Sequence, residues 1–364
     1  MKIGILTYHN AVNYGAVLQA FALLNKLNSI DGVNASIIDY KSIAVEQQYR
    51  LLSRESAGSL KNFLLSNITW LLRRGKRKKF NIFLHSKDGL AIESNRMDFK
   101  IYDIVIVGSD QVWNPNCTMG DITYLLPYNK HNTKKISYAA SIGDPKNIEG
   151  YQKDYNIDYL KYLLDFNRIS VREEDSKTFL IKNGVECTSV IDPVLLFGAE
   201  RWMSYIRLFN EQYILVYNLG NFKTLKCFLE MFNKEKKLRV LVINKDIKGD
   251  IMYYQYKNIS SVHPLSFVEL IANASYVITD SFHATAFSIM FHKEFFTVSS
   301  DSQNANTRII NLLSRYGLIE RHINRNNYCK KSFSTIDYDY VENILSKDRL
   351  FSEKWLMNSI KDDE

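Results

Sequence analysis

Short apolar runs that close on polar residues recur along the first half of the chain. "KIGILTY" (2–8), "ASIIDY" (35–40), "DIVIVGSD" (103–110), "KISYAAS" (135–141) and "NRISVREEDS" (167–176) all have this form. Runs that are apolar throughout, rather than alternating, read as strands buried on both faces, as in a parallel sheet. Between them lie stretches with apolar residues at helical spacing: "AVLQAFALLNKL" (16–27), residues 58–85 and residues 151–166. This strand–helix alternation predicts right-handed crossovers in an open α/β sheet. The grammar begins again near residue 210 with "YILVYNL", "FKTLKCFLEMFNK", "LRVLVIN", "NISSVHP", "SFVELIANA", "YVITD", an apolar helix, and "EFFTVS".

The pattern predicts two doubly wound, Rossmann-like α/β domains facing a cleft. Their expected bounds are 1–190 and 191–335, with a helical segment over 336–364 packing on the domains. "VIDPVLLF" (190–197), whose Pro193 cannot continue a helix, marks the expected crossing point.

The 364 residues, 46% of them hydrophobic, suffice for two cores. Lys and Arg outnumber Asp and Glu by 47 to 39, a net charge of +8 that suits an anionic substrate, a nucleic acid or an acidic membrane. No nucleic-acid-binding module accompanies the charge, which argues against that partner. Cys117, Cys187, Cys227 and Cys329 are too dispersed for a zinc site or a disulfide framework, so reduced thiols and a cytoplasmic location are expected, with no metal. "LKNFLLSNITWLLRRGKRKKF" (60–80) follows an apolar stretch with six basic residues between 73 and 79. It reads either as a surface for an anionic membrane or as a charged helix end facing water.

Ligands of open α/β sheets bind beyond the carboxyl ends of the strands. Four strand ends carry suitable chemistry. "HNAVNYG" (9–15) lacks the glycines of a dinucleotide loop or a P-loop, but Asn13, Tyr14 and Gly15 stand at a helix N-terminus. "GSDQVWNP" (108–115) places Asp110, Gln111, Trp113 and Asn114 after a strand, as a site wall or as an Asx turn with Trp113 packed nearby. Arg172 in "SVREED" offers a two-pronged grip on carboxylate or phosphate, or else an ion pair with Glu173, Glu174 or Asp175. In "TDSFHA", Asp280 or Ser281 caps a helix whose first turn holds His283, an acid–base candidate or a satisfied core histidine.

In order, "NYGAVLQA", "GSDQVWNP", "SYAASIGD", "SVREEDS", "VIDPVLL" and "TDSFHATAFSIMF" resemble the polysaccharide pyruvyl transferase family over residues 1 to about 320. The resemblance implies a fold similar to the glycosyltransferase B arrangement. It also implies transfer of pyruvate from phosphoenolpyruvate to a sugar as a ketal, with no further cofactor, and an acceptor that is a lipid-linked capsular or exopolysaccharide repeat unit. On that reading His283 is the catalytic acid or base, Asp110 orients or deprotonates the acceptor hydroxyl, and Arg172 and Ser281 lie on the donor side. Asn13, Tyr14, Gly15, Gln111, Trp113 and Asn114 contact the acceptor. Family members often have Arg two residues before the His, where this chain has Ser281. Arg308 in "NANTRIINLL", and after it Lys293, are the expected substitutes for that charge. Two readings compete: a nucleotide-sugar glycosyltransferase with the same architecture, and a non-catalytic sugar-binding subunit of a polysaccharide assembly complex.

Overall fold

A computed structural model describes residues 1–42, 58–92, 99–127, 133–146, 148–150, 157–220, 222–245, 247–259, 261–299, 303–324, 326–327 and 334–361. Cys329 and residues 151–156 of the helix expected over 151–166 lie outside the described residues; the described part of that helix is Tyr159–Leu163.

Two parallel six-stranded sheets are present. The first contains β1 (Lys2–Leu6), β2 (Asn34–Ile37), β3 (Ile104–Val107), β4 (Lys134–Ala140), β5 (Arg168–Val171) and β6 (Thr188–Ser189), in the order β2-β1-β3-β4-β5-β6. The second contains β7 (Tyr213–Asn218), β8 (Arg239–Asn244), β9 (Lys257–Asn258), β10 (Tyr276–Thr279), β11 (Glu294–Val298) and β12 (His322–Ile323), in the order β12-β11-β10-β7-β8-β9. Central strands β3 and β7 are buried at every residue, which is why their sequences do not alternate. In each sheet the order reverses once, between β1 and β3 and between β7 and β10. A doubly wound sheet opens a ligand crevice at that reversal.

The chain forms two compact units: Met1–Tyr49, Asn81–Phe197 and Ser346–Glu364 in the first, Arg50–Phe80 and Gly198–Leu345 in the second. Pro193 does not interrupt a helix but begins one, Pro193–Phe197, where its missing N–H costs nothing. "NISSVHP" supplies only the end of the two-residue β9 and the cap of helix Pro264–Asn273. The final helix, Tyr338–Ile360, is anchored in the first unit by Lys26 with Glu353 and by Ser352 Oγ, which accepts from the Ile191 amide at 3.1 Å.

The basic run divides by exposure. Helices Leu60–Leu72 and Arg74–His85 meet at Arg73, which is buried and reaches Asp250 at 2.7 Å. Lys76 is buried, whereas Arg74, Lys78 and Lys79 are exposed. Leu60, Leu64, Ile68 and Leu71 recur at helical spacing and are all exposed, giving an apolar stripe on the first helix. Among the described residues no helix is long and apolar enough to cross a membrane.

Candidate active site

At the reversal of the first sheet, β1 and β3 end side by side. Thr7 Oγ1 donates to the Ser109 carbonyl at 2.9 Å and accepts from Gln19 Nε2 at 2.9 Å, and Gln19 Oε1 accepts from the Ser109 amide at 3.1 Å. This fastens both strand ends to helix Tyr14–Asn28. Asp110 follows in the left-handed region, φ 74°, with Oδ1 accepting from the Gln111 amide at 2.9 Å. Gly108 holds φ 116°, and a Cβ there would stand 2.5 Å from the Tyr138 carbonyl, so the turn accepts no larger residue unstrained.

The expected wall is largely an internally bonded turn. Trp113 is fully buried and donates Nε1–H to the Tyr124 carbonyl at 2.9 Å. An indole buries more apolar surface in a core than it can at a rim, and here its one polar group is satisfied there. Asn114 caps helix Pro115–Thr118 by accepting from the Asn116 amide at 3.1 Å, and donates to Gln111 Oε1 at 2.7 Å. Asn13 caps its helix by accepting from the Gly15 amide at 3.0 Å, and Tyr14 and Gly15 are buried. Trp113, Tyr14 and Gly15 are therefore not placed to touch an acceptor. Asp110, Gln111 and Asn13 remain at the crevice.

Two groups escaped the sequence reading. The Tyr8 hydroxyl is buried without a hydrogen-bond partner among the described residues, its ring edge-on to Tyr124 at 5.2 Å. Burial first, then Tyr124, Cys117 and Asp110, hold that phenol protonated well beyond its usual range. His9 faces the Thr7 carbonyl through Nδ1 and Asp39 Oδ1 through Nε2, each at 3.1 Å, so both nitrogens can donate only in the imidazolium form. The hydrogen bond from His9 holds the Asp39 carboxyl below its usual range despite partial burial. The signal was a tyrosine and a histidine closing "KIGILTYH", but nothing local announces Asp39 or Tyr124 as their partners.

Arg172 is not an open clamp. Its Nε donates to Glu173 Oε1 and its Nη1 to Asp192 Oδ2, both at 2.9 Å, and all three residues are buried. Burial opposes the charge, but Glu173 and Asp192 raise the guanidinium above its usual range. Asp192 also accepts from Ser109 Oγ at 3.2 Å and from the Val194 amide at 2.9 Å. The ion-pair reading is what the geometry displays, with Asp192 in place of Glu174 or Asp175.

At the reversal of the second sheet, Asp280 accepts from the Leu219 and Gly220 amides at 2.7 and 3.0 Å, tying the ends of β10 and β7 together. Ser281 is the cap of helix Phe282–Met290, its Oγ accepting from the Ala284 amide. His283 sits in the first turn, buried, its ring perpendicular to Phe282 at 5.2 Å. The Arg308 guanidinium lies 6.0 Å from the same Phe282 ring. His283 and Arg308 each lie near the Phe282 ring, in the first turn of the helix that Ser281 caps, and the N-terminus of a helix favours an anion through its free amides and dipole. Lys293 does not join them. It follows the carboxyl end of that helix, about 13 Å of helix away, with its amide on the Ser288 carbonyl. Burial lowers its ammonium below the usual range. No cluster of His, Cys, Asp and Glu suited to a metal occurs among the described residues.

The sequence profile of polysaccharide pyruvyl transferase matches residues 13–302. The chain belongs to the polysaccharide pyruvyl transferase family. No curated protein sequence matches this pyruvyl transferase family member. Among solved structures it is similar to the S. aureus MnaA–UDP co-structure, with 12% identity, TM-score 0.56, and 99% of this chain and 96% of that chain covered. It is also similar to a putative UDP-N-acetylglucosamine 2-epimerase from Listeria monocytogenes, with 10% identity, TM-score 0.55, and 99% and 95% covered. At such identities the likeness carries the fold alone, an α/β fold of the glycosyltransferase B type. Membership of this family supports a transferase of polysaccharide synthesis.

Proposed function

We propose that the protein transfers pyruvate from phosphoenolpyruvate to a sugar of a capsular or exopolysaccharide repeat unit as a ketal, releasing phosphate. The observation that carries this reading is His283 in the first turn of a helix at the second sheet's reversal, with Arg308 6.0 Å from the ring of the neighbouring Phe282. The helix amides and Arg308 receive the donor's phosphate or carboxylate. His283 delivers a proton to the enol methylene carbon while a sugar hydroxyl adds to the neighbouring carbon, and the proton of that hydroxyl restores the base. A second hydroxyl then displaces phosphate, its proton leaving with the phosphate, and the ring closes. No cofactor besides the donor enters this scheme.

Titration with phosphoenolpyruvate and with UDP, followed by melting temperature, tests the reading. Stabilisation by phosphoenolpyruvate and phosphate release with a sugar acceptor are expected. Stabilisation by UDP alone would move the assignment to a nucleotide-sugar enzyme. Arg308→Ala is expected to weaken phosphoenolpyruvate binding in calorimetry about tenfold, the loss of one charge-assisted contact. Unchanged affinity would take Arg308 out of the site.

We further place the protein in the cytoplasm, peripheral at the inner face of the membrane, where a lipid-linked acceptor presents its sugar. The exposed stripe Leu60, Leu64, Ile68 and Leu71, continued by exposed Arg74, Lys78 and Lys79, supports an interfacial helix on anionic lipid. Sedimentation with anionic vesicles is expected at low salt and is expected to fade as the Debye length shrinks to about 10 Å at 0.1 M. Leu64→Glu with Ile68→Glu is expected to abolish it. Equal sedimentation of that variant would exclude the stripe as the contact.

A further inference from the structure

The carboxyl end of β11 lies between the two helices that carry His283 and Arg308. Helix Phe282–Met290 precedes that strand, and helix Gln303–Arg315 follows it on the way to β12. Thr285 Oγ1 and Thr297 Oγ1, 3.0 Å apart, fasten the first of these helices to β11. Thr279 and Thr297 are register partners in β10 and β11, and each chain runs on two residues, to Ser281 and to Ser299. Neighbouring strands stand about 4.8 Å apart, so Ser299 leaves the sheet one strand away from the cap of the His283 helix, at the edge where such sheets take their ligands. Ser299 Oγ is hydrogen-bonded to Nε2 of His322, the first residue of β12. Among the described residues that is the only hydrogen bond of either side chain, and both are half-buried. The strands do not need it, because the Ser299 amide already donates to the Ile323 carbonyl at 2.8 Å. Burial lowers the His322 imidazole below its usual range, which keeps it neutral at neutral pH. The charged neighbours in sequence are engaged elsewhere, Arg321 with Glu294 and Glu320 with Ser334. A neutral imidazole joined to a hydroxyl can accept one proton and hand it on. The scheme above contains such a task, since the proton of the second sugar hydroxyl must reach the phosphate as it departs.

We propose that Ser299 and His322 bind the phosphate group of the donor and carry that proton to it, an inference that rests on the donor reading above. Ser299 turns from Nε2 and donates its hydroxyl hydrogen bond to a phosphate oxygen. As the second sugar hydroxyl closes the ring, its proton passes to His322. The carbon–oxygen bond to phosphate breaks with its electron pair on the phosphate oxygen, and His322 returns the proton there. The carboxylate of the donor is then left to the helix amides and Arg308.

The test follows the titration of the histidine rings by proton NMR, with the His322 signal identified by its loss in His322→Gln. Should that variant fail to fold, the histidine signal displaced by Ser299→Ala identifies it. The probes are inorganic phosphate and phosphoenolpyruvate, at an ionic strength held constant with sodium chloride so that screening does not change. Each is expected to raise the His322 midpoint by about one pH unit, because a bound oxyanion favours the imidazolium. Ser299→Ala is expected to bind both probes about tenfold more weakly in calorimetry, with a melting temperature close to the parent value. A merely structural tie gives the reverse, unchanged affinity with a lowered melting temperature, and would overturn the proposal. Phosphoenolpyruvate binding that leaves the His322 midpoint and the Ser299→Ala affinity unchanged removes this pair and keeps the donor reading. A midpoint raised by inorganic phosphate without phosphoenolpyruvate binding keeps the pair as a phosphate site and removes the donor reading. Absence of binding by both probes overturns the proposal.

Discussion

His283→Gln is expected to turn over about 10² to 10⁴ times more slowly than the parent protein, with melting temperature and affinity for phosphoenolpyruvate close to the parent values. The rate factor is the usual worth of a positioned general acid or base. Glutamine preserves polar reach in the first turn of helix Phe282–Met290, and Ser281, which caps that turn, is untouched. Loss of kcat with unchanged donor affinity is the signature of an interaction made only in the transition state. A core histidine behaves in the opposite way, since the side chain is buried against Phe282 and its removal would then lower stability with little effect per folded molecule. Measuring both quantities on one preparation separates the two; near-normal turnover by folded protein removes His283 from the mechanism.

Arg172→Met is expected to cost about 3–5 kcal/mol of stability, because it strands the buried carboxylates of Asp192 and Glu173 without their cation. Chemical denaturation with an unchanged m-value is the measurement. Adding Asp192→Asn is expected to recover part of the loss, since the amide can still accept from the Val194 amide while carrying no charge to strand. A raised KM for phosphoenolpyruvate with unaltered stability would instead return Arg172 to the donor site.

The central strands were legible because burial on both faces leaves unbroken apolar runs, "IVIV" and "YILVYN" among them. Edge strands β6 and β12 are two residues each and carry no periodicity to read. The Ser281 cap was legible too, since it acts over three residues, whereas Asn13, read as an acceptor contact, caps its own helix. What eluded the sequence lies far along the chain. Asp192 reaches Arg172 across 20 residues and Asp250 reaches Arg73 across 177, so the identity of each partner depends on how strands are ordered in space. Trp113 illustrates the other difficulty: an aromatic after a strand reads equally as rim or core, and only the Tyr124 carbonyl waiting inside decides.

Arg50–Phe80 belongs to the second unit, whose other residues are synthesised much later. A ribosome delivers Arg73 long before Asp250; at about 5–20 residues per second the wait is roughly ten to thirty seconds. Throughout it the nascent chain carries Leu60, Leu64, Ile68 and Leu71 beside uncompensated positive charge, a chaperone-like target until the later half arrives. Messages cut short before codon 250 should therefore yield an adhesive fragment rather than a clean first half.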